Sequence, residues 1–83
     1  MLYVAKTSRP PDRALADAIR ELRAERNLTQ QDLAMKAGLT LGAIARIETY
    51  RVNPTWLTVR DIAAALDVSM VELAERLGRR AEP

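Results

Sequence analysis

Four hydroxyl side chains, each opening a segment with helical apolar spacing, constrain this fold more than any other feature of the sequence. Thr29 begins the run TQQD, and Asp32 three residues on completes a capping box, in which each residue's side chain takes up the other's backbone amide. Leu28 before the cap and Leu33 after it have the spacing of a hydrophobic staple. Thr40, bracketed by Leu39 and Ile44, repeats the pattern, and Ser69 opens SMVE between Val68 and Leu73. Thr55 caps a further segment that runs through Leu66. A cap of this kind satisfies an amide of the first helical turn that otherwise has no partner.

The stops fit the starts. Residues 12–26 place Leu15, Ile19, Leu22 and Arg26 on one helical face, preceded by Pro10 and Pro11 and closed by Asn27. Gly38 ends the second segment and Gly78 the fifth, and Tyr50 to Pro54 connect the third to the fourth. In the fourth, Trp56, Val59, Ile62, Ala63 and Leu66 recur at core spacing, so Trp56 is expected as a core anchor rather than a platform for stacked bases. The expected fold class is all-α, a compact five-helix domain over residues 12–78. An arm (1–11) precedes it and a frayed tail (79–83) follows. Leu2, Tyr3 and Val4 are too few to decide whether they form an edge strand.

Composition removes several functions. With no cysteine and no histidine, disulfide frameworks, zinc sites of the usual kind and thiol or imidazole catalysis are excluded. No nucleophile has a base to pair with, and no glycine-rich phosphate loop is present, so neither an enzyme nor a cofactor site is expected. No apolar run approaches the roughly 20 residues of a membrane span. Lys6 and Arg9 follow the apolar patch at 2–4, the reverse of a secretory signal, which makes the expected location cytoplasmic. Arginine dominates the basic residues, 11 against 2 lysines, for a net charge of +2. The charge is +2 over residues 1–26, +1 over 27–51 and −1 over 52–83, a basic front and a neutral back that suit a nucleic-acid binder.

Thr29 to Ala37, a turn at Gly38 and a segment from Thr40 have the grammar of a helix-turn-helix. Here the sequence resembles the phage-repressor-like (Cro/C1, XRE, lambda-repressor-like) helix-turn-helix family. The resemblance covers Ala18 to about Leu77 and rests on TQQDLA, the AGLT turn, IARIE, the NP step and IAAALDVS, in that order and spacing. It implies that Thr40 to Glu48 is the recognition helix, lying in the major groove of double-stranded DNA. By the same resemblance, Thr40, Leu41, Gly42, Ala43 and Arg46 reach base edges, and Gln30 contacts phosphate and braces that helix. Tyr50, Arg51 and Asn53 clamp the DNA backbone, and Arg23 with Glu48 forms a structural ion pair between the first and third helices.

Each assignment has a plainer competitor. Gln30 is also an ordinary first-turn residue, and Arg51 an ordinary surface cation. Major-groove reading by hydrogen bonds calls for Arg, Asn or Gln, yet this helix offers only Arg46 and the Thr40 hydroxyl. Either few direct contacts are supplemented by DNA shape, or the fold serves another partner; small residues suit a backbone that sits deep in a groove. The sequence also departs from the family. Tyr50 and Asp67 stand where glycine is common, Arg60 where an apolar residue is frequent, and Leu57 where a polar one is. Leu57, Val71 and Leu77 then lack an evident intramolecular home and are expected at a dimer interface, with the apolar arm residues as a rival source.

The expected function is a sequence-specific transcriptional regulator, acting as a homodimer on an inverted-repeat operator and associated with the nucleoid. Restriction-modification controllers, small repressors and autoregulating proteins are the types the resemblance implies. The alternative is an antitoxin or another protein-interaction module whose main partner is a protein such as a toxin.

Overall fold

The computed structural model describes residues 11–81, with side chains through Arg79. Leu2, Tyr3 and Val4 of the expected arm lie outside the described residues. Five helices follow one another: α1 (Arg13–Glu25), α2 (Gln30–Ala37), α3 (Leu41–Glu48), α4 (Trp56–Ala65) and α5 (Met70–Ala81).

Every helix begins on a side-chain cap. The Thr40 hydroxyl oxygen accepts from the Ala43 amide at 3.0 Å, and that of Thr55 from Thr58 at 3.2 Å. Thr29 with Asp32, and Ser69 with Glu72, form the two reciprocal boxes with bonds of 2.9–3.0 Å. The Thr29 backbone amide, followed by its hydroxyl, holds the Asp32 carboxyl below the usual carboxylate range. Asp12 caps α1 by accepting from the Leu15 amide at 3.1 Å.

Four helices also end alike. Asn27, Gly38, Tyr50 and Asp67 all take left-handed backbone conformations, with φ of 58°, 72°, 63° and 59°. At each, the amide of the next residue reaches back five positions: Leu28 to Arg23, Leu39 to Ala34, Arg51 to Arg46, and Val68 to Ala63, at 2.8–3.0 Å. These are Schellman closures, and only one of them uses glycine. Asn and Asp tolerate this region, but a bulky tyrosine there is an outlier.

The apolar faces meet in one core. Ala18, Ile19 and Leu22 of α1, Leu33 of α2, Ile44 and Ile47 of α3, Ile62 of α4 with Leu66 just past its end, and Leu73 of α5 are all buried within it. α1 packs on α3 and α5, while α2 packs on α3 and α4. Arg26, the residue that closes α1, donates from Nε to the Leu66 carbonyl, capping the far end of α4.

Three expectations need correction. Trp56 is not a core anchor, since 66% of it is exposed; the core stripe of α4 takes hold at Val59 and Ile62, one turn later. Gly78 does not end α5, which continues to Ala81, so residues 79–81 are helical rather than a frayed tail. Glycine inside a helix costs about 1 kcal/mol relative to alanine, but this turn is anchored just before it. Arg76 donates to both carboxylate oxygens of Glu25 on α1, at 2.9 and 3.2 Å, and lies 3.6 Å from Glu21. Leu77, beside it, is half-buried against the core and so has an intramolecular home.

One charge sits in this interior. Glu48, at the end of α3, is 1% exposed. Arg23 of α1 meets it with Nε to Oε2 at 2.9 Å and Nη2 to Oε1 at 3.0 Å, and its Nη1 donates to the Leu28 carbonyl at 3.0 Å. Gln30 of α2 adds a third bond, Nε2 to Oε1 at 3.0 Å. Removing one member of such a pair leaves a buried charge uncompensated and costs about 3–5 kcal/mol. Arg23→Ala is therefore expected to lower the thermal midpoint sharply by circular dichroism. An unchanged midpoint would mean that water replaces the guanidinium at no cost.

Candidate nucleic-acid interface

The roll of α3 is set by its buried side. Ile44, Ile47 and Glu48 face inward, Ala43 and Ala45 are half-buried at the flanks, and Thr40, Leu41, Gly42 and Arg46 are exposed. Glu48 is the helix's sole carboxylate and is sealed in the core, so the exposed face of α3 carries positive charge alone. Among the described residues, neither Arg46 nor Arg51 has an ion pair or a side-chain hydrogen bond within the protein.

Gly42 has a local reason to be small. A Cβ there would stand 3.3 Å from Nη1 of Arg46. Helical side chains lean toward the N-terminus, over the residue four positions earlier, and for Arg46 that residue is Gly42. The missing side chain lets the guanidinium lie along the first turn of α3. Sequence spacing carries this signal, because glycine and arginine four apart share one helix face.

The loop after α3 is fastened to α1. The Tyr50 hydroxyl donates to the Asp17 carboxylate and accepts from Arg20 Nη2 at 3.2 Å. Arg20 Nη2 also donates to Asp17 at 2.7 Å, and its Nη1 to the carbonyl of Glu48 at 3.0 Å, capping the end of α3. The Arg13 guanidinium lies 4.4 Å above the centre of the Tyr50 ring. Asn53 accepts through Oδ1 from the Asp12 amide at the start of α1. Of the three residues expected to clamp DNA, Tyr50 and Asn53 thus spend polar atoms on α1, while Arg51 is exposed and its side chain has no partner among the described residues.

Arg13, Asp17 and Arg20 are the neighbours of this loop that reading the sequence missed. Their helical spacing of three and four places them on one face of α1, but nothing local links that face to Tyr50. Gln30 is half-buried and directs its amide nitrogen at Glu48, which accounts for its bracing of α3; that NH₂ group keeps a second hydrogen to donate. Leu57 and Val71 are 60% and 67% exposed on α4 and α5, apart from α3. Between those helices lies an open apolar groove of about 280 Å³, lined by Leu15, Trp56, Val59, Met70, Leu73 and Leu77, among others.

Two helices joined at a left-handed glycine, with the second exposing a cationic face, define a helix-turn-helix protein. The helix-turn-helix family model matches residues 19–73. The chain belongs to the XRE-type helix-turn-helix family of DNA-binding transcriptional regulators. It is 40% identical over 52 residues to the uncharacterized HTH-type transcriptional regulator y4dJ of Sinorhizobium fredii, covering 63% of this chain and 68% of that one. It is 42% identical over 52 residues to the immunity repressor protein of Bacillus phage phi105, covering 63% of this chain and 36% of the repressor. Among solved structures it resembles the restriction-modification controller protein C.Esp1396I. The tetramer of that protein on its natural 35 base-pair operator matches with a TM-score of 0.78 at 33% identity, covering 81% and 88% of the two chains. C.Esp1396I on a 19 base-pair duplex matches at 0.82 and 31%, covering 86% and 95%.

The Tyr50 hydroxyl is expected to matter for stability. Tyr50→Phe keeps the ring and the backbone but leaves Asp17 and Arg20 without the oxygen they share, and should cost about 1–2 kcal/mol. The midpoint of urea denaturation measures this. A midpoint equal to that of the native chain would mean the hydroxyl is exchanged for water without loss.

Proposed function

We propose that this protein regulates transcription as a homodimer, with each copy laying α3 in the major groove of one half of an inverted-repeat operator. The observation that carries the reading is the contrast on α3 and its following loop: Glu48, Tyr50 and Asn53 are bound within the fold, whereas Arg46 and Arg51 have no partner among the described residues. A cation on the exposed face can donate two bonds to guanine, and a cation beyond the helix end can seat on phosphate. The likeness to C.Esp1396I, which binds operator DNA, supports the same reading. DNA of this kind places the protein with the nucleoid.

Few base contacts are then made directly. Thr40 spends its hydroxyl oxygen on the Ala43 amide and keeps its hydrogen to donate. Leu41 and Ala43 offer methyl contact to thymine, and the remainder of the specificity falls to DNA shape. One arginine per copy is too little to select a site from a genome, which is the physical reason for two copies. Recognition helices of a two-fold pair lie about 34–36 Å apart, one turn of DNA.

Arg46→Ala is expected to cost about 1–3 kcal/mol on selected operators and to relax preference at one base pair per half-site. Arg51→Ala should instead weaken all duplexes alike and reduce the slope of log affinity against log salt by about 0.9 for each bound copy. Titration of a duplex library at several salt concentrations separates the two. If Arg46→Ala ranks the library as the native chain does, α3 is not the reader.

The dimer is assigned to the α4–α5 side, where Leu57 and Val71 are exposed and their chain neighbours Trp56 and Met70 line the apolar groove. Leu57→Glu with Val71→Glu should give a folded monomer that loses operator selectivity and retains weak general binding. Light scattering alongside circular dichroism tests this; a double variant that stays dimeric moves the interface elsewhere.

A further inference from the structure

Among the described residues, the closure of α3 is the one place where the backbone adopts a positive φ that its residue disfavours. Asn27 and Asp67 suit a positive φ and Gly38 is free to adopt it, but Tyr50 does so at 63° against the preference of a bulky side chain. Residues held in such conformations persist only when their surroundings over-determine them, and they concentrate at functional sites. Here the surroundings are explicit. Asp17 and Arg20 grip the hydroxyl, and Arg20 also holds the Glu48 carbonyl, so the ring is fixed to both α1 and α3. What that fixed ring carries is Arg13, whose guanidinium lies 4.4 Å from its centroid. Arg20 is 5.6 Å from the same ring but is engaged by Asp17, whereas Arg13 has no ion pair or hydrogen bond among the described residues.

From this geometry we infer that Arg13, presented on the Tyr50 ring, is a phosphate-positioning residue that seats the DNA backbone beside the end of α3. The inference rests on the DNA-binding reading above and adds to it a cation from α1, outside the helix-turn-helix. Stacking on an aromatic face fixes the plane of a guanidinium while leaving its N–H edge open, which suits the two-pronged recognition of a phosphodiester. Asp17 does not cancel it, because that carboxylate is taken up by Arg20 and the Tyr50 hydroxyl. Arg13 and Arg51 then approach one stretch of backbone from the two sides of the loop, and Tyr50 itself touches no DNA.

The test compares the native chain with Arg13→Ala, Tyr50→Asn and the double variant, each on one operator duplex and one random duplex over a range of salt. Asparagine suits the positive φ, as at Asn27, so Tyr50→Asn removes the platform without removing the turn, and circular dichroism checks that each variant is folded. Arg13→Ala should weaken both duplexes equally and lower the salt slope by about 0.9 for each bound copy. Tyr50→Asn should lower it likewise, and the double variant no further, because both act through one guanidinium. Arg13→Lys should recover the slope, since it restores the charge. A native salt slope in folded Arg13→Ala overturns the inference, as does an additive loss in the double variant. Both of these results leave the DNA-binding reading standing if Arg46→Ala still alters selectivity. A native chain that binds neither duplex overturns that reading first.

Discussion

The buried carboxylate of Glu48 is the constraint around which the three N-terminal helices are arranged. A charge withdrawn from water costs several kcal/mol unless its oxygens are met by donors, and here three bonds from two side chains meet them. Those donors are Arg23 on α1 and Gln30 in the first turn of α2, so satisfying one carboxylate fixes the relative position of three helices. It also fixes the roll of α3. With Ile44, Ile47 and Glu48 turned inward, Gly42 and Arg46 lie on the opposite side of the helix, facing solvent. The surface assigned to DNA is therefore a consequence of how the core is satisfied.

The helix ends show how far one backbone solution can be stretched. Four closures share the same bonding pattern but are made by asparagine, glycine, tyrosine and aspartate. At three of them the residue suits the conformation and nothing further is needed. At Tyr50 the left-handed backbone costs on the order of 1–3 kcal/mol, offset by its hydroxyl contacts and by two guanidinium groups over its ring. The loop that leaves α3 is in this way stiffened by α1. A stiff loop keeps Arg51 in a fixed relation to Arg46, as positioning on a duplex requires.

The opposite side of the molecule follows a different logic. α5 is held to α1 by Leu73 in the core and by the two-pronged contact of Arg76 with Glu25 at the surface. Arg76 also holds the Glu25 carboxyl below its usual range, first through this hydrogen bond. Between α4 and α5 the packing stops short of closing over Trp56, Leu57 and Val71. These large apolar side chains are exposed on α4 and α5 rather than on α3, which is why the proposed dimer contact is sought there.

What the sequence determined by itself is whatever depends on neighbours within one helical turn. The caps at Thr29, Thr40, Thr55 and Ser69, the closures at Asn27 and Gly38, and the apolar faces of α1 and α3 were legible because each is decided by residues at most five positions apart. The pairing of Arg23 with Glu48 spans 25 positions and was legible through the family pattern. Tertiary structure decided the rest. Trp56 has core spacing but begins its helix one turn before the stripe that meets the core, so spacing alone misplaced it. Gly78 reads as a stop, yet α5 continues, because Arg76 and Leu77 bind the preceding turn to α1 and the core. Asp17 and Arg20 look like a local surface pair until folding brings Tyr50 from 33 positions away. Such outcomes turn on where two distant segments come to lie, and a local preference of about 1 kcal/mol gives way to packing that contributes more.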